Sequence, residues 1–162
     1  MGSAPVPYLN ALSEEQARAE LLRCCGSRRW AERVAAARPF ANDAALHAAA
    51  DGAWWQLDPV DWREAFAAHP RIGERAGGWA GREQAGMSGA TDEMRAAFAA
   101  ANAEYEQRFG HVFLICATGR GAAEMLADLR RRLANDPASE LRVAAAEQTK
   151  ITRLRLERLG GA

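Results

Sequence analysis

Helix-breaking punctuation recurs along this chain, and between the breaks apolar side chains return every three or four positions. That combination restricts the fold to short helices packed against one another. Ser13 with Gln16 forms a capping box, opening a helix that runs to about Cys25. Gly26-Ser27 breaks it, and a second helix follows from about Arg29 to Ala37 with Trp30, Val34 and Ala37 on one side. Arg38-Pro39-Phe40 ends that one. Asn42 or Asp43 caps a third helix, to about Gln56. Asp58-Pro59 is a cap followed by proline at the first helical position, starting a fourth helix to about Ala68. Thr91, Asp92 and Glu93 open a long helix whose stripe is Phe98, Ala101, Tyr105 and Phe109, with Gly110 as its stop. Another helix spans about Gly121 to Leu133, with Met125, Leu126, Leu129 and Leu133 inward. Asp136-Pro137 repeats the cap-then-proline start of a last helix to about Leu159. No strand pairing is apparent, although His111 to Ala117 reads equally well as extended chain or as a buried turn of helix. The expected fold is all-α: a single-domain orthogonal bundle of about eight helices over residues 1–162.

Composition narrows the function classes. A chain of 162 residues fits one domain and buries a core without disulfides or metals. Its 21 basic and 21 acidic residues cancel, so no basic surface argues for nucleic acid or anionic membrane. No apolar run reaches the length of a membrane span, and the N-terminus lacks the pattern of a signal peptide. Cys24, Cys25 and Cys116 are odd in number and make no disulfide framework, which points to a reducing, cytoplasmic setting. On a continuous helix, neighbouring Cys24 and Cys25 would point about 100° apart, so at most one is expected to face the core. His47, His69 and His111 show no ligand spacing with the cysteines, and no metal is expected.

Three places break plain core-and-surface patterning. His69 ends the stripe Trp62, Phe66, His69, and Pro70 after it disfavours helix at that position. A titratable imidazole therefore closes an apolar stripe and faces a loop. Alone, it is better explained as a capping or core histidine. The loop that follows carries six glycines between residues 73 and 90, together with Trp79, and so reads as an ordered loop packed over something. It holds Glu83-Gln84, which alone would be a solvated polar pair. On the last helix Leu141, Ala144, Gln148, Ile151 and Arg155 share one stripe. The arginine there either snorkels to the rim or meets an anion in a cleft. Arg71, Arg108 and Arg120 are taken as structural or surface residues. An imidazole, a carboxylate and a guanidinium together suit cofactor-free proton chemistry on a small polar anion. Their spacing does not say that they converge.

A resemblance adds to this reading. The order Arg38-Pro39-Phe40, His69-Pro70-Arg71-Ile72-Gly73, Trp79 before Glu83-Gln84-Ala85-Gly86, Asn102 with Tyr105, Arg108-Phe109-Gly110, Phe113 to Ala117, Arg132-Leu133-Ala134-Asn135, Lys150-Ile151 and Leu154-Arg155-Leu156 covers nearly the whole chain. In that order it resembles the OHCU decarboxylases, the 2-oxo-4-hydroxy-4-carboxy-5-ureidoimidazoline decarboxylase family of urate breakdown. The resemblance implies an all-helical, cofactor-independent carboxy-lyase that forms (S)-allantoin, and by analogy a homodimer. It implies that His69 and Glu83 are catalytic. It also implies that Pro70, Gln84, Arg155 and the segment Phe113, Leu114, Ile115, Cys116 and Ala117 bind substrate, the segment largely through its backbone. One position departs: the family often has serine after the loop tryptophan, whereas this chain has Ala80 after Trp79. One missing hydroxyl contact would weaken binding by about 1 kcal/mol without removing the chemistry. Two other readings remain open: a hydrolase acting on a related ureide, and a non-enzymatic helical module whose apolar stripes face a partner.

Overall fold

The computed structural model describes residues 4–161. Among them the chain forms nine α-helices and no strand: α1 (Pro5–Ala11), α2 (Glu14–Cys24), α3 (Arg28–Ala36), α4 (Asp43–Trp55), α5 (Pro59–Ala67), α6 (Gly78–Glu83), α7 (Asp92–Phe109), α8 (Ala122–Arg132) and α9 (Pro137–Arg158). A 3-10 turn, Ala85–Met87, follows α6. The all-α expectation holds. The caps act as the sequence implied: Ser13 accepts from the Gln16 N–H in a full capping box, Asn42 from Ala45, and Thr91 from Met94. Gly110 ends α7 at φ 77°, a left-handed conformation that a residue without Cβ adopts readily.

Two compact units result, one built from residues up to Ala65 together with those from Thr149 onward, the other from Phe66–Gln148. In the first, α2 packs on α3, α3 on α4, and α1 on α4. Trp30, Leu9, Leu21, Leu46, Leu156 and Leu159 are fully buried there. The indole N–H groups of Trp30 and Trp62 donate to the carbonyls of Ala50 and Trp54, both at 2.9 Å, so neither aromatic buries an unsatisfied donor. Helix α1 has no strong sequence signal of its own. Arg38 holds it, donating to the carbonyls of Leu9 (2.8 Å) and Leu12 (2.7 Å), while Asn10 and the Phe40 backbone exchange two 2.9 Å bonds. This explains the Arg-Pro-Phe run, whose Arg38–Pro39 peptide is cis.

The second unit gathers Phe98, Tyr105 and Phe109 of α7, Met125, Leu126 and Leu129 of α8, and Phe113, Ile115 and Ala117 from the segment between them. That segment is neither helix nor strand. His111, half-buried, packs against the rings of Phe66, Tyr105 and Phe109 and pairs through Nδ1 with the Val112 carbonyl.

Three expectations need correction. Cys24 and Cys25 are both buried, because Cys25 leaves the helix as its cap at φ −152°, ψ 121° and so escapes the angular spacing of a continuous helix. Ala37 is exposed at the end of α3, and Ala31 and Ala35 complete the buried face instead. The glycine-rich stretch is only partly loop, since α6 and the 3-10 turn lie inside it.

Candidate active site

Helix α5 delivers Phe66 to the core, and His69 closes the turn beyond it with its N–H on the Phe66 carbonyl at 3.1 Å. The imidazole is half-buried, and its Nε2 lies 2.7 Å from Oε1 of Gln148. Gln148 is fully buried on α9. Its neighbour Glu147, also buried, accepts the Cys116 N–H through Oε1 at 3.0 Å. Two consecutive residues of one helix thus fix both the histidine and the extended segment.

Glu83 is the last residue of α6 and is buried despite its carboxylate. Gln84 follows, and its side-chain oxygen accepts the Gly73 N–H at 3.1 Å, tying the end of α6 back to the stretch after Pro70. Asn102 of α7, 4% exposed, donates to the Ile72 carbonyl at 3.0 Å. Arg95 donates to the carbonyls of Gly73 (3.3 Å) and Met87 (2.8 Å). The stretch after Pro70 is therefore held by the side chain of Gln84 and by Arg95 and Asn102 of α7. Gly86 lies so close to the backbone of Arg120 that a Cβ there would come within 1.9 Å of its carbonyl oxygen.

Phe113, Leu114, Ile115 and Ala117 are buried and Cys116 is half-buried. Behind them stands an ionic cluster that composition did not reveal. Arg132, 4% exposed, donates to Glu140 through Nη2 at 2.6 Å and through Nε at 2.9 Å, and to the Leu114 carbonyl through Nη1 at 2.8 Å. Glu140, fully buried, also accepts from the Tyr105 hydroxyl and, at 3.1 Å, from Asn135. The guanidinium lies over the Phe113 ring at 4.6 Å. Burial foremost, then the bond to Glu140, pushes the Tyr105 phenol above its ordinary value. The Leu114 carbonyl and the Cys116 N–H are thus already bonded inside the protein, so the segment is pre-shaped.

Arg155 belongs to the first unit. It is half-buried and donates to the Arg23 carbonyl at a long 3.4 Å. It stands near Cys24 and Cys25, whose thiols burial pushes up, Cys25 to about 12, while the nearby positive charge opposes the rise.

A cavity of about 490 Å³ lies beside Arg71, Gly73, Arg95, Asn102 and Glu106, and one of about 230 Å³ beside Gln84, Met87 and Arg95. Neither is lined by His69 or Glu83. The larger one has arginines already engaged, Arg71 on Glu106 at 2.7 and 2.9 Å and Arg95 on backbone carbonyls, so its volume alone does not make it the reaction centre. Among the described residues no group of three or more His, Cys, Asp or Glu is set to hold a metal ion, and no helix is long and apolar enough to cross a membrane.

Sequence reasoning placed Gln148 on the α9 stripe without giving it a task; a glutamine among Ala144, Ile151 and Leu141 was the available signal. Glu147 carried no such signal.

Comparison with known proteins gives this arrangement a family. The chain is 38% identical over 147 residues to the uric acid degradation bifunctional protein TTL of Arabidopsis thaliana, an alignment covering 84% of this chain but 45% of that protein. The chain thus spans less than half of the plant relative. It is 35% identical to the 2-oxo-4-hydroxy-4-carboxy-5-ureidoimidazoline decarboxylase of Amia calva, over 74% of this chain and 73% of that one. Its fold superposes with a TM-score of 0.80 on a crystal structure of an OHCU decarboxylase determined in the presence of (S)-allantoin, at 35% identity over 91% of this chain and 98% of the other. The family description "OHCU decarboxylase" matches residues 10–157, which contain every candidate site residue, and the chain belongs to the OHCU decarboxylase family.

Proposed function

We propose that this protein decarboxylates 2-oxo-4-hydroxy-4-carboxy-5-ureidoimidazoline to (S)-allantoin in urate breakdown, without a cofactor. Family membership supports the reaction. The observation that carries the reading for this chain is the half-buried imidazole of His69, tethered at 2.7 Å to a buried glutamine.

The substrate carries a hydroxyl and a carboxylate on one ring carbon, next to a C=N bond. As CO2 departs, the electron pair of the broken C–C bond forms a double bond to the neighbouring carbon. The C=N pair then moves onto nitrogen, which takes a proton from solvent because the carboxylate enters ionised. The product of this step is an enol, so the substrate supplies its own electron sink. The enol hydroxyl next loses its proton while the neighbouring carbon gains one on a single face, giving one enantiomer. His69 is the group suited to both transfers, because an imidazole changes charge near neutral pH. Glu83 orients the imidazole or the substrate hydroxyl. Gln84, whose oxygen is on Gly73, offers its NH2 to a ring carbonyl. Pro70 and the backbone of Phe113 to Ala117 shape the floor. For Arg155 as anion holder the support is the family match alone. The loop around α6 excludes water and so strengthens these contacts. We also propose a cytoplasmic homodimer, which light scattering on the purified protein tests.

The experiment generates fresh substrate enzymatically from urate, adds this protein, and follows the circular dichroism of (S)-allantoin against the unaided decay. His69→Asn lowers kcat at least about a hundredfold. Near-normal turnover in that variant removes the imidazole from the reaction. Release of carbon dioxide, with no ammonia or urea, separates decarboxylation from hydrolysis of a related ureide.

A further inference from the structure

A neutral imidazole has one N–H and one bare nitrogen, and its neighbours decide which is which. Nε2 of His69 stands 2.7 Å from Oε1 of Gln148, and an amide oxygen only accepts. An acceptor in that place is satisfied when the nitrogen it faces carries the hydrogen. The glutamine is fully buried, and its helix is held in rotation by Glu147, whose carboxylate grips the Cys116 N–H one position earlier.

We propose that Gln148 is a positioning residue that holds His69 as its Nε2–H tautomer, making Nδ1 the atom that takes the enol proton and returns it to carbon. This rests on the reading of His69 as the proton shuttle. An amide suits the task better than a carboxylate. A carboxylate against Nε2 would favour the charged ring and make it a poor base at neutral pH, whereas a neutral oxygen orients the ring without fixing its charge. The carboxylate next door in sequence is occupied elsewhere, on a backbone N–H. The Nε2–H bond to Gln148 persists when Nδ1 is protonated, so the ring keeps its orientation while the proton leaves the hydroxyl oxygen, resides on Nδ1 and passes to the carbon. Bonds balance: the O–H broken on the enol is replaced by the C–H formed.

The test reads the tautomer directly. In 15N-labelled protein at alkaline pH, two-bond 1H–15N correlation spectra distinguish protonated from bare ring nitrogens. The chain has three histidines, and the spectrum of His69→Asn assigns the signals of residue 69 by their loss. Wild type shows the hydrogen on Nε2 by roughly tenfold over Nδ1, the ratio one buried hydrogen bond sustains. Gln148→Met, similar in shape but without the oxygen, lowers that ratio to the weaker Nε2 preference of a free imidazole, and its kcat falls roughly tenfold with KM within about twofold. A hydrogen on Nδ1 in the wild-type protein overturns the proposal, and because this needs no variant it decides the matter even if Gln148→Met fails to fold. An unchanged tautomer ratio or unchanged kcat in Gln148→Met also overturns it. A fully active His69→Asn, by contrast, defeats the imidazole's part in the reaction and leaves the tautomer assignment standing.

Discussion

Replacing Glu140 by alanine tests the ionic cluster behind the Phe113–Ala117 segment. Glu140 is fully buried and accepts from Arg132, Asn135 and Tyr105. Its removal leaves a guanidinium, itself 4% exposed, with the Leu114 carbonyl at 2.8 Å and Asp128 at 3.8 Å as its remaining polar partners. Stranding one member of a buried pair costs about 3–5 kcal/mol. Asp128 softens that, while the Tyr105 hydroxyl, losing its acceptor, adds about 1 kcal/mol, so the sum stays near 4 kcal/mol. For a chain of this size each kcal/mol moves Tm by about 2–4 °C, so Glu140→Ala melts about 8–16 °C below wild type. Urea unfolding followed by far-ultraviolet circular dichroism gives the free energy. Arg132→Met with Glu140→Leu, which strands no charge, recovers more than half of the loss. A single-variant cost under about 1 kcal/mol, or a double variant as unstable as the two singles added, refutes the claim that the stranded charge dominates.

Gly86→Ala forces a Cβ against the Arg120 carbonyl at 1.9 Å, so backbone must move. We expect a loss of about 1–3 kcal/mol in urea unfolding, and a lower kcat/KM because the turn after Gln84 shifts with it. Burial raises the thiols of Cys24 and Cys25 in the folded chain, Cys25 to about 12, while unfolded cysteine titrates near about 8.5. The unfolded chain therefore sheds these protons first, and stability present below about pH 8.5 declines as pH rises towards 12, by up to about 1.4 kcal/mol per unit for each thiol. The urea midpoint falls between about pH 8 and pH 10, and falls less in Cys25→Ala. At neutral pH a thiol reagent labels half-buried Cys116 in the native protein and reaches Cys24 and Cys25 only after unfolding.

Local signals carried most of the helices because caps and stripes are local physics. Ser13, Asn42 and Thr91 each bond the N–H three residues on, as their side chains dictate, and Phe98, Ala101, Tyr105 and Phe109 keep the helical period. Helix α1 carries no strong local signal because it is seven residues long and is held by Arg38, far along the chain. Helix α6 was hidden by its glycines: Gly78 starts it at φ 59°, where composition alone reads a turn. The candidate site was drawn from residue types and a family pattern, and its hydrogen-bond wiring was not legible. His69 and Gln148 stand 79 positions apart, and Arg132 becomes a buried ion only because the next helix brings Glu140 to it. Such contacts are products of tertiary packing, which spacing does not encode.

Helix α9 works like a key whose cut edges must keep their phase. Glu147 and Gln148 point about 100° apart, one to the Cys116 backbone and the other to His69. Deleting a single residue between 141 and 146 would turn both away together, however well the helix itself survived. Substitution at outward positions such as exposed Arg142 leaves that phase intact, whereas an insertion or deletion breaks it.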